Sequence, residues 1–165
     1  MWAKHKQPGF TIVELLIVIV VIGILAAITI VAYSGITNRA SDAVVLSDID
    51  NARRQLEIAN IDLGHYPQSL NDFPALKLSK GSYDTTQNNV YYIVDIANNN
   101  YALGLRSKSL KGFILTNSGL QQGVGVSGAA TASAIGVTWG AAGTWDVQGY
   151  VASGTGWGST WSWVN

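Results

Sequence analysis

Residues 9–36 form a long, almost entirely apolar stretch that reads GFTIVELLIVIVVIGILAAITIVAYSGI. Residues 15–38 contain no charge, and within 15–33 only Gly23 and Thr29 are not apolar. As a helix rising 1.5 Å per residue, the run is long enough to cross a hydrocarbon core of about 30 Å. A helix on the surface of a soluble core would show a polar stripe, and none is present. We therefore predict a membrane-spanning helix.

The charges that flank this helix predict its orientation. Lys4 and Lys6 precede it, whereas the residues that follow it mix both signs of charge. An excess of Lys and Arg marks the cytoplasmic side, so we predict a single pass with the N-terminus inside and the remainder outside. A secretory signal peptide has a similar layout, but its apolar region is only about 7–15 residues long.

Glu14 is the one charged residue in the apolar stretch. A carboxylate in a membrane helix is unfavourable by about 2.5–3.5 kcal/mol at the centre and by less near an end. A glutamate snorkelling to the interface is the simpler interpretation. However, ionisable residues inside membrane segments usually serve a function. The sequence offers no cation inside the helix, so we expect a partner from outside it.

Residues 9–14, GFTIVE, and the apolar run after them closely resemble the N-terminal signature of type IV pilins and pseudopilins. The resemblance implies that a prepilin peptidase removes residues 1–9 by cutting between Gly9 and Phe10 and that the new Phe10 amine is methylated. It also implies that Glu14 of one subunit pairs with the Phe10 amine of a neighbour in a filament. A buried charge is tolerated only when it is paired.

One position departs from the family pattern. Gly23 and Tyr33 match the signature, but Val31 stands where many members have a proline, two residues before the aromatic. Without the ring clash and missing N–H of proline, nothing local predicts a break in the helix here.

An amphipathic pattern follows the apolar run and predicts that one helix of about 50 residues continues through residues 37–64. Charges four positions apart, Asp50 with Arg54 and Arg53 with Glu57, favour ion pairs on its solvated side. Gly64 and Pro67 predict its end. The apolar residues recur at alternating spacings of four and three, which places them on one face: Val45, Ile49, Ala52, Leu56, Ala59 and Leu63.

Residues 65–165 form the predicted head. β-Branched and aromatic runs predict strands at 90–96, 101–106 and 113–116, with turns between them. An antiparallel sheet packed on the amphipathic helix would bury both apolar faces, so we predict an α+β fold of pilin-like architecture. The 165-residue chain has no cysteine, which excludes a disulfide-closed C-terminal loop.

The C-terminal part, residues 112–165, is rich in glycine and holds five of the six tryptophans. Within it, residues 135–163 alternate glycine, threonine and tryptophan, which predicts short strands with tight turns. A surface platform for glycan is one interpretation of the tryptophans, and filling of the core and of subunit contacts is the favoured one. The tryptophans are Trp139, Trp145, Trp157, Trp161 and Trp163.

Other motifs do not predict a site. Residues 123–128 match G-x-G-x-x-G but lack the parallel strand–helix context that a nucleotide site needs. His65 fits a helix-capping or surface role, and Asp84, Asp95 and Asp146 are too scattered for a recognisable calcium loop. We expect no catalytic residue, no cofactor and no metal.

Charge also limits the partners. Ten basic and ten acidic side chains give a net charge of zero, which disfavours nucleic-acid binding. The only basic cluster of the head, at Arg106, Lys108 and Lys111, fits a solvated hairpin better than a DNA or anionic surface contact.

The resemblance predicts a structural filament subunit, first held in the cytoplasmic membrane and then polymerised outside the cell for adhesion, motility or DNA uptake. The implied partners are further copies of the chain, other pilins, the prepilin peptidase, an assembly ATPase with its platform protein, and membrane lipid before assembly. A pseudopilin of a type II secretion or competence system is the alternative within the family. A membrane-anchored extracytoplasmic binding domain is the alternative of another class.

Overall fold

The computed structural model describes residues 9–69, 71–72, 76–84, 86, 88–152 and 156–157. The side chains of residues 88, 145 and 147–157 are outside that description, as is most of the predicted leader. The chain divides into two compact units, Met1–Thr37 and Asn38–Asn165. Helix α1, Ile12–Leu63, contributes to both units, and its 52 residues confirm the predicted long helix.

The first unit is an apolar helix without a core of its own. Its large apolar side chains keep between 48% (Val21) and 82% (Phe10) of their surface exposed. The most apolar 18-residue window of α1 has a mean hydropathy of 3.3 and no buried residue, so α1 is long and apolar enough to cross a membrane. The helix continues through Val31, as the absence of a proline there predicts.

The second unit, which we call the head, is built on an antiparallel sheet ordered β4-β3-β2-β1-β5-β6. The predicted strands correspond to β1, β2 and β3. The elements that follow α1 are a 3₁₀ turn Lys80–Ser82, β1 Asn88–Asp95, β2 Asn100–Arg106, β3 Gly112–Thr116, β4 Gly119–Gln122, α2 Gly128–Ser133, β5 Thr144–Ala152 and β6 Gly156–Trp157.

The head has three layers. On the inner face of the sheet, Tyr92, Leu103 and Phe113 pack with Val45, Ile49, Leu56 and other buried residues of α1 in one core. On the outer face a second, smaller core forms under α2 and the segment around it. The sheet packed on the amphipathic helix is as predicted. The short helix α2 that covers the outer face was not predicted, whereas β5 and β6 lie within residues 135–163, where short strands were expected.

Two glycines allow this cover to lie close to the rest of the head. A Cβ on Gly104 of β2 would overlap the hydroxyl of Thr131 in α2. A Cβ on Gly128 would lie 2.6 Å from the indole of Trp139, which itself meets Tyr91 edge-on with ring centroids 5.8 Å apart. The side chain of Trp139 is thus half-buried and packs within the head, in agreement with the favoured interpretation. The other four C-terminal tryptophans have side chains outside the described residues.

Helix α1 departs from prediction at three places. Leu63 is 42% exposed because the helix ends there, where Gly64 adopts a φ of +78°. Arg54 donates to the side chain of Asn51, and no ion pair joins it to Asp50 among the described residues. Glu57 accepts a hydrogen bond from the Tyr66 hydroxyl at 2.9 Å, in place of the predicted pair with Arg53.

A buried carboxylate fastens the connecting loop to α1. Asp48 accepts hydrogen bonds from the Ser79 amide at 2.7 Å, the Ser79 hydroxyl at 3.1 Å and the Tyr83 hydroxyl at 2.9 Å. Its side chain is nearly without solvent contact, so these donors take the place of water. Asp48 thereby holds the 3₁₀ turn against the helix.

Tyrosines gather where α1 ends. Tyr66 and Tyr101 have ring centroids 4.5 Å apart, and Tyr92 stacks on Tyr101 at 6.3 Å. Burial, reinforced by the hydrogen bond to Glu57, raises the pKa of Tyr66 to about 12. Burial also raises the pKa of Tyr83, Tyr92 and Tyr101.

Candidate assembly site

The start of α1 is closed by a reciprocal pair of side-chain hydrogen bonds. The Glu14 carboxylate accepts from the Thr11 amide at 2.8 Å and from the Thr11 hydroxyl at 2.7 Å, both through Oε2. In return the Glu14 amide donates to the Thr11 hydroxyl at 3.3 Å. With Thr11 as N-cap and Glu14 three residues on, this is a capping box, which satisfies amide groups that a helix start otherwise leaves unpaired.

This geometry corrects the prediction that Glu14 has no partner within the chain. Thr11 is a partner that the sequence argument missed, although the T-x-x-E spacing at residues 11–14 signals it. The carboxylate also lies at the positive end of the helix dipole, which is favourable for an anion. Oε1 of Glu14 accepts no hydrogen bond from the described residues, so the carboxylate retains capacity for another donor.

The three residues implied in processing and assembly are neighbours in the chain: Gly9 and Phe10 lie just before α1, and Glu14 lies in its first turn. Gly9 and Phe10 precede α1, are not helical and are exposed. A Cβ on Gly9 would meet no atom within 4 Å. The peptide bond between Gly9 and Phe10 is therefore open to approach, and the Phe10 nitrogen is one residue before the amide that the Glu14 carboxylate binds.

The three acidic residues considered for calcium each bind different protein groups. Asp84 accepts from Thr86 and pairs with Arg106 at 3.1 Å, Asp95 accepts from the turn at Asn98, and Asp146 accepts from the Gly140 amide. Across the described residues no three metal-ligating side chains converge. Among the described residues, Asp84, Asp95 and Asp146 do not form a shared site.

The glycine motif lies between a strand and a short helix, and His65 lies just after the end of α1. Residues 123–127 connect antiparallel strand β4 to α2, a helix of six residues that begins at Gly128. The hydroxyl of Ser127, just before it, accepts a hydrogen bond from the Ala130 amide. This is not the parallel strand and long helix of a dinucleotide site. Nδ1 of His65 lies 2.9 Å from the Tyr66 carbonyl, just after α1 ends.

The long N-terminal helix, apolar in its first half, and the antiparallel sheet of the head make up an α+β, pilin-like architecture. A family model described as the prokaryotic N-terminal methylation motif matches residues 4–30. The chain is 36% identical over 99 residues to the type IV wide pilus major component PilA4 of Thermus thermophilus, covering 60% of this chain and 72% of that protein. The chain belongs to the type IV pilin and pseudopilin family.

Two further relatives are a secretion protein and a fimbrial protein. The type II secretion system core protein G of Escherichia coli is 33% identical over 90 residues, which cover 51% of this chain and 62% of that protein. The type IV major fimbrial protein FimA of Dichelobacter nodosus is 41% identical over 59 residues, which cover 36% of this chain and 38% of that protein. No solved structure matches the chain.

Proposed function

We propose that this chain is the structural subunit of a type IV pilus, made as a prepilin and polymerised through the first half of α1. The observation that carries the proposal is the exposed apolar surface of residues 10–36, which a single copy leaves uncovered. Lipid covers it before assembly, and the same segment of neighbouring copies covers it in the filament. The relatives are structural proteins, which supports a structural role over an enzymatic one.

In this proposal a prepilin peptidase cuts the accessible bond between Gly9 and Phe10, and the new amine is methylated. The Phe10 ammonium then lies next to a carboxylate that already caps the helix. Pairing of Glu14 with the Phe10 amine of a neighbouring copy would fix the axial register of the helices, since the apolar surface alone is uniform. An assembly ATPase with its platform protein, acting from the cytoplasmic side, is the implied machinery.

The first test is intact-mass analysis of protein sheared from the cell surface. We expect a chain that begins at methylated Phe10. A chain that still begins at Met1 and occurs only in membranes would contradict the proposal and favour the anchored binding domain. Gly9→Val serves as the processing control, because a β-branched side chain before the cut should leave the precursor intact.

A second test separates capping by Glu14 from pairing between copies. Glu14→Ala removes both functions, whereas Thr11→Ala weakens the cap and keeps the carboxylate. If Glu14 pairs with a neighbour, we expect filament yield to fall much further with Glu14→Ala than with Thr11→Ala. Equal losses would show that capping alone accounts for Glu14, and normal yield with both would favour the anchored domain. Asp50→Ala, at an exposed helix position, is the matched control.

The second candidate is a pseudopilin, which the similarity to the secretion core protein G favours. Both candidates share processing at Phe10 and the helix-driven assembly. They differ in where the polymer occurs. Processed chain recovered in sheared filaments supports the pilus, whereas processed chain that is confined to the envelope and required for release of secreted proteins supports the pseudopilin.

A further inference from the structure

The two ends of the head carry opposite charge. We call the base the end formed by residues 38–48 of α1, the Lys80–Ser82 turn and the turn at 107–111. These parts are joined by hydrogen bonds, from the Ser109 hydroxyl to Asp42 at 2.5 Å and from the Lys108 amide to the Ser82 carbonyl at 2.8 Å. We call the tip the end formed by residues 55–63 of α1 and the turns at 71–72 and 96–99.

The base is basic. Arg39, Lys80 and Lys108 are exposed, and Lys111 is partly exposed beside the Phe113 ring. Of the acidic residues near this end, Asp42 accepts a hydrogen bond from Ser109, Asp48 is buried, and Asp84 forms an ion pair with Arg106. Within residues 38–48, 80–82 and 107–111, four basic side chains stand against the two acidic ones, Asp42 and Asp48, so the net charge of the base is positive.

The tip is acidic and contains a groove. Residues 55–72 and 95–105 contain Glu57, Asp62, Asp72 and Asp95 and no Lys or Arg, and Arg53, near Glu57 and Tyr101, is the cation at the border of the tip. Between the last turns of α1 and the turn at 71–72 lies a groove of about 330 Å³ with an apolar floor and acceptors at its rim. Its lining is Gln55, Ile58, Ala59, Asp62, Leu63, Asn71 and Asp72.

The groove suits one kind of side chain. Its apolar floor, which includes Ile58 at 57% exposure, fits an aliphatic stem, and the carboxylates of Asp62 and Asp72 fit an ammonium group at the end of that stem. Oε1 of Gln55 is buried there without a hydrogen-bond partner among the described residues, which adds an acceptor that lacks a donor. A lysine combines both requirements.

We propose that the base of one copy docks on the tip of another, with Lys108 entering the groove of the neighbour. The inference rests on the proposed function, because it specifies how heads meet within the filament. Asp42 and Asp62 are twenty helical residues apart, about 30 Å along the axis, so the base and tip of one head cannot meet. A contact between two different surfaces of identical copies continues from copy to copy, as a filament requires.

The absence of cysteine allows a direct test in the full-length chain. Asp62→Cys and Lys108→Cys are introduced together, and filaments are oxidised before denaturation without reductant. A disulfide needs Cα atoms within about 7 Å, so the two cysteines cannot close within one head. We expect a ladder of covalent oligomers. Each single substitution provides a control that yields dimers at most, and Asp50→Cys with Lys108→Cys is the matched control that should give no ladder.

Charge exchange is the second arm of the test. We expect Asp62→Lys with Asp72→Lys, or Lys108→Asp with Lys111→Asp, to lower filament yield on the order of tenfold, and all four together to restore it. Asp50→Lys controls for net charge. Filaments that carry processed chain but give no ladder and show no loss on charge reversal would overturn the docking contact and leave the proposed function standing. Absence of processed chain from wild-type filaments would instead contradict the proposed function.

Discussion

The two halves of α1 use the same residue types in opposite surroundings. In the first half, Ile17 and Leu25 leave more than half of their surfaces exposed, whereas in the second half Ile49 and Leu56 are completely buried. The difference lies in spacing. A helix with apolar residues at every position presents more apolar surface than one sheet can cover. Apolar residues spaced three and four apart instead form a single face, which one sheet buries. The head contains its own core, and the first half must obtain one from lipid or from other copies.

The largest effect should come from truncating the same side chain in each half. Ile49→Ala removes buried methyl groups and should lower the free energy of unfolding of the head by about 2–5 kcal/mol. Ile22→Ala, at a position that is 59% exposed, should leave that free energy within about 0.5 kcal/mol of wild type. Denaturant unfolding of the full chain in detergent measures both. Equal losses would show that the halves share one core.

The buried carboxylate should give the next largest effect. Asp48→Ala removes the acceptor of three hydrogen bonds, including those of the Ser79 amide and the Tyr83 hydroxyl, and should destabilise the head by about 2–3 kcal/mol. The matched substitution Asp50→Ala, at an exposed position two residues further on, should change stability by less than about 0.5 kcal/mol. A small effect at both positions would contradict the anchoring role of Asp48.

A smaller effect should follow from crowding the outer layer. Gly104→Ala places a methyl group against the Thr131 hydroxyl and should destabilise the head by about 1–3 kcal/mol. Adding Thr131→Ala should recover part of this loss, since the obstructing atom is gone. Gly81→Ala is the control, because its methyl group would meet no atom within 4 Å. No recovery in the double variant would show that the strain lies elsewhere.

The last effect is a loss of stability at alkaline pH, which is absent at neutral pH. Burial raises the pKa of Tyr66 to about 12 and also raises the pKa values of Tyr83, Tyr92 and Tyr101. Because unfolded tyrosine has a pKa of about 10, the fold favours the protonated phenols. Stability should be unaffected below about pH 10 and should fall as the pH rises towards 12.

Phenolate absorbance and near-ultraviolet circular dichroism, recorded during an alkaline titration, check this. The four tyrosines should ionise together with loss of the tertiary signal. Tyr66→Phe removes one of the titrating groups and should reduce the loss. Ionisation of all four at about pH 10 without unfolding would contradict the role of burial.

The features that could be predicted from the sequence are those that depend on local residue patterns. The spacing from Val45 to Ala59 depends on helix periodicity alone, and β1 to β3 depend on β-branched and aromatic runs with turns between them. The cover of the outer face depends on contacts between distant residues, such as Tyr91 with Trp139, in a segment of small residues without clear periodicity. At the candidate site, Glu14 stands out by its charge, whereas the role of Thr11 emerges only when residues 11–14 are considered as a helix start.

The neighbours of β1 determine the order in which the head can be completed. Asp95 pairs with Asn100 on one side and with Thr144 on the other, so one flank of β1 forms through a tight turn and the other must await a strand about fifty residues later. Such distant pairing is slow, and an unpaired strand edge invites association with other chains. During synthesis the middle of the sheet is thus an open edge until residues 144–152 have been added. Attachment to the membrane through α1 would keep these unfinished heads apart during that interval.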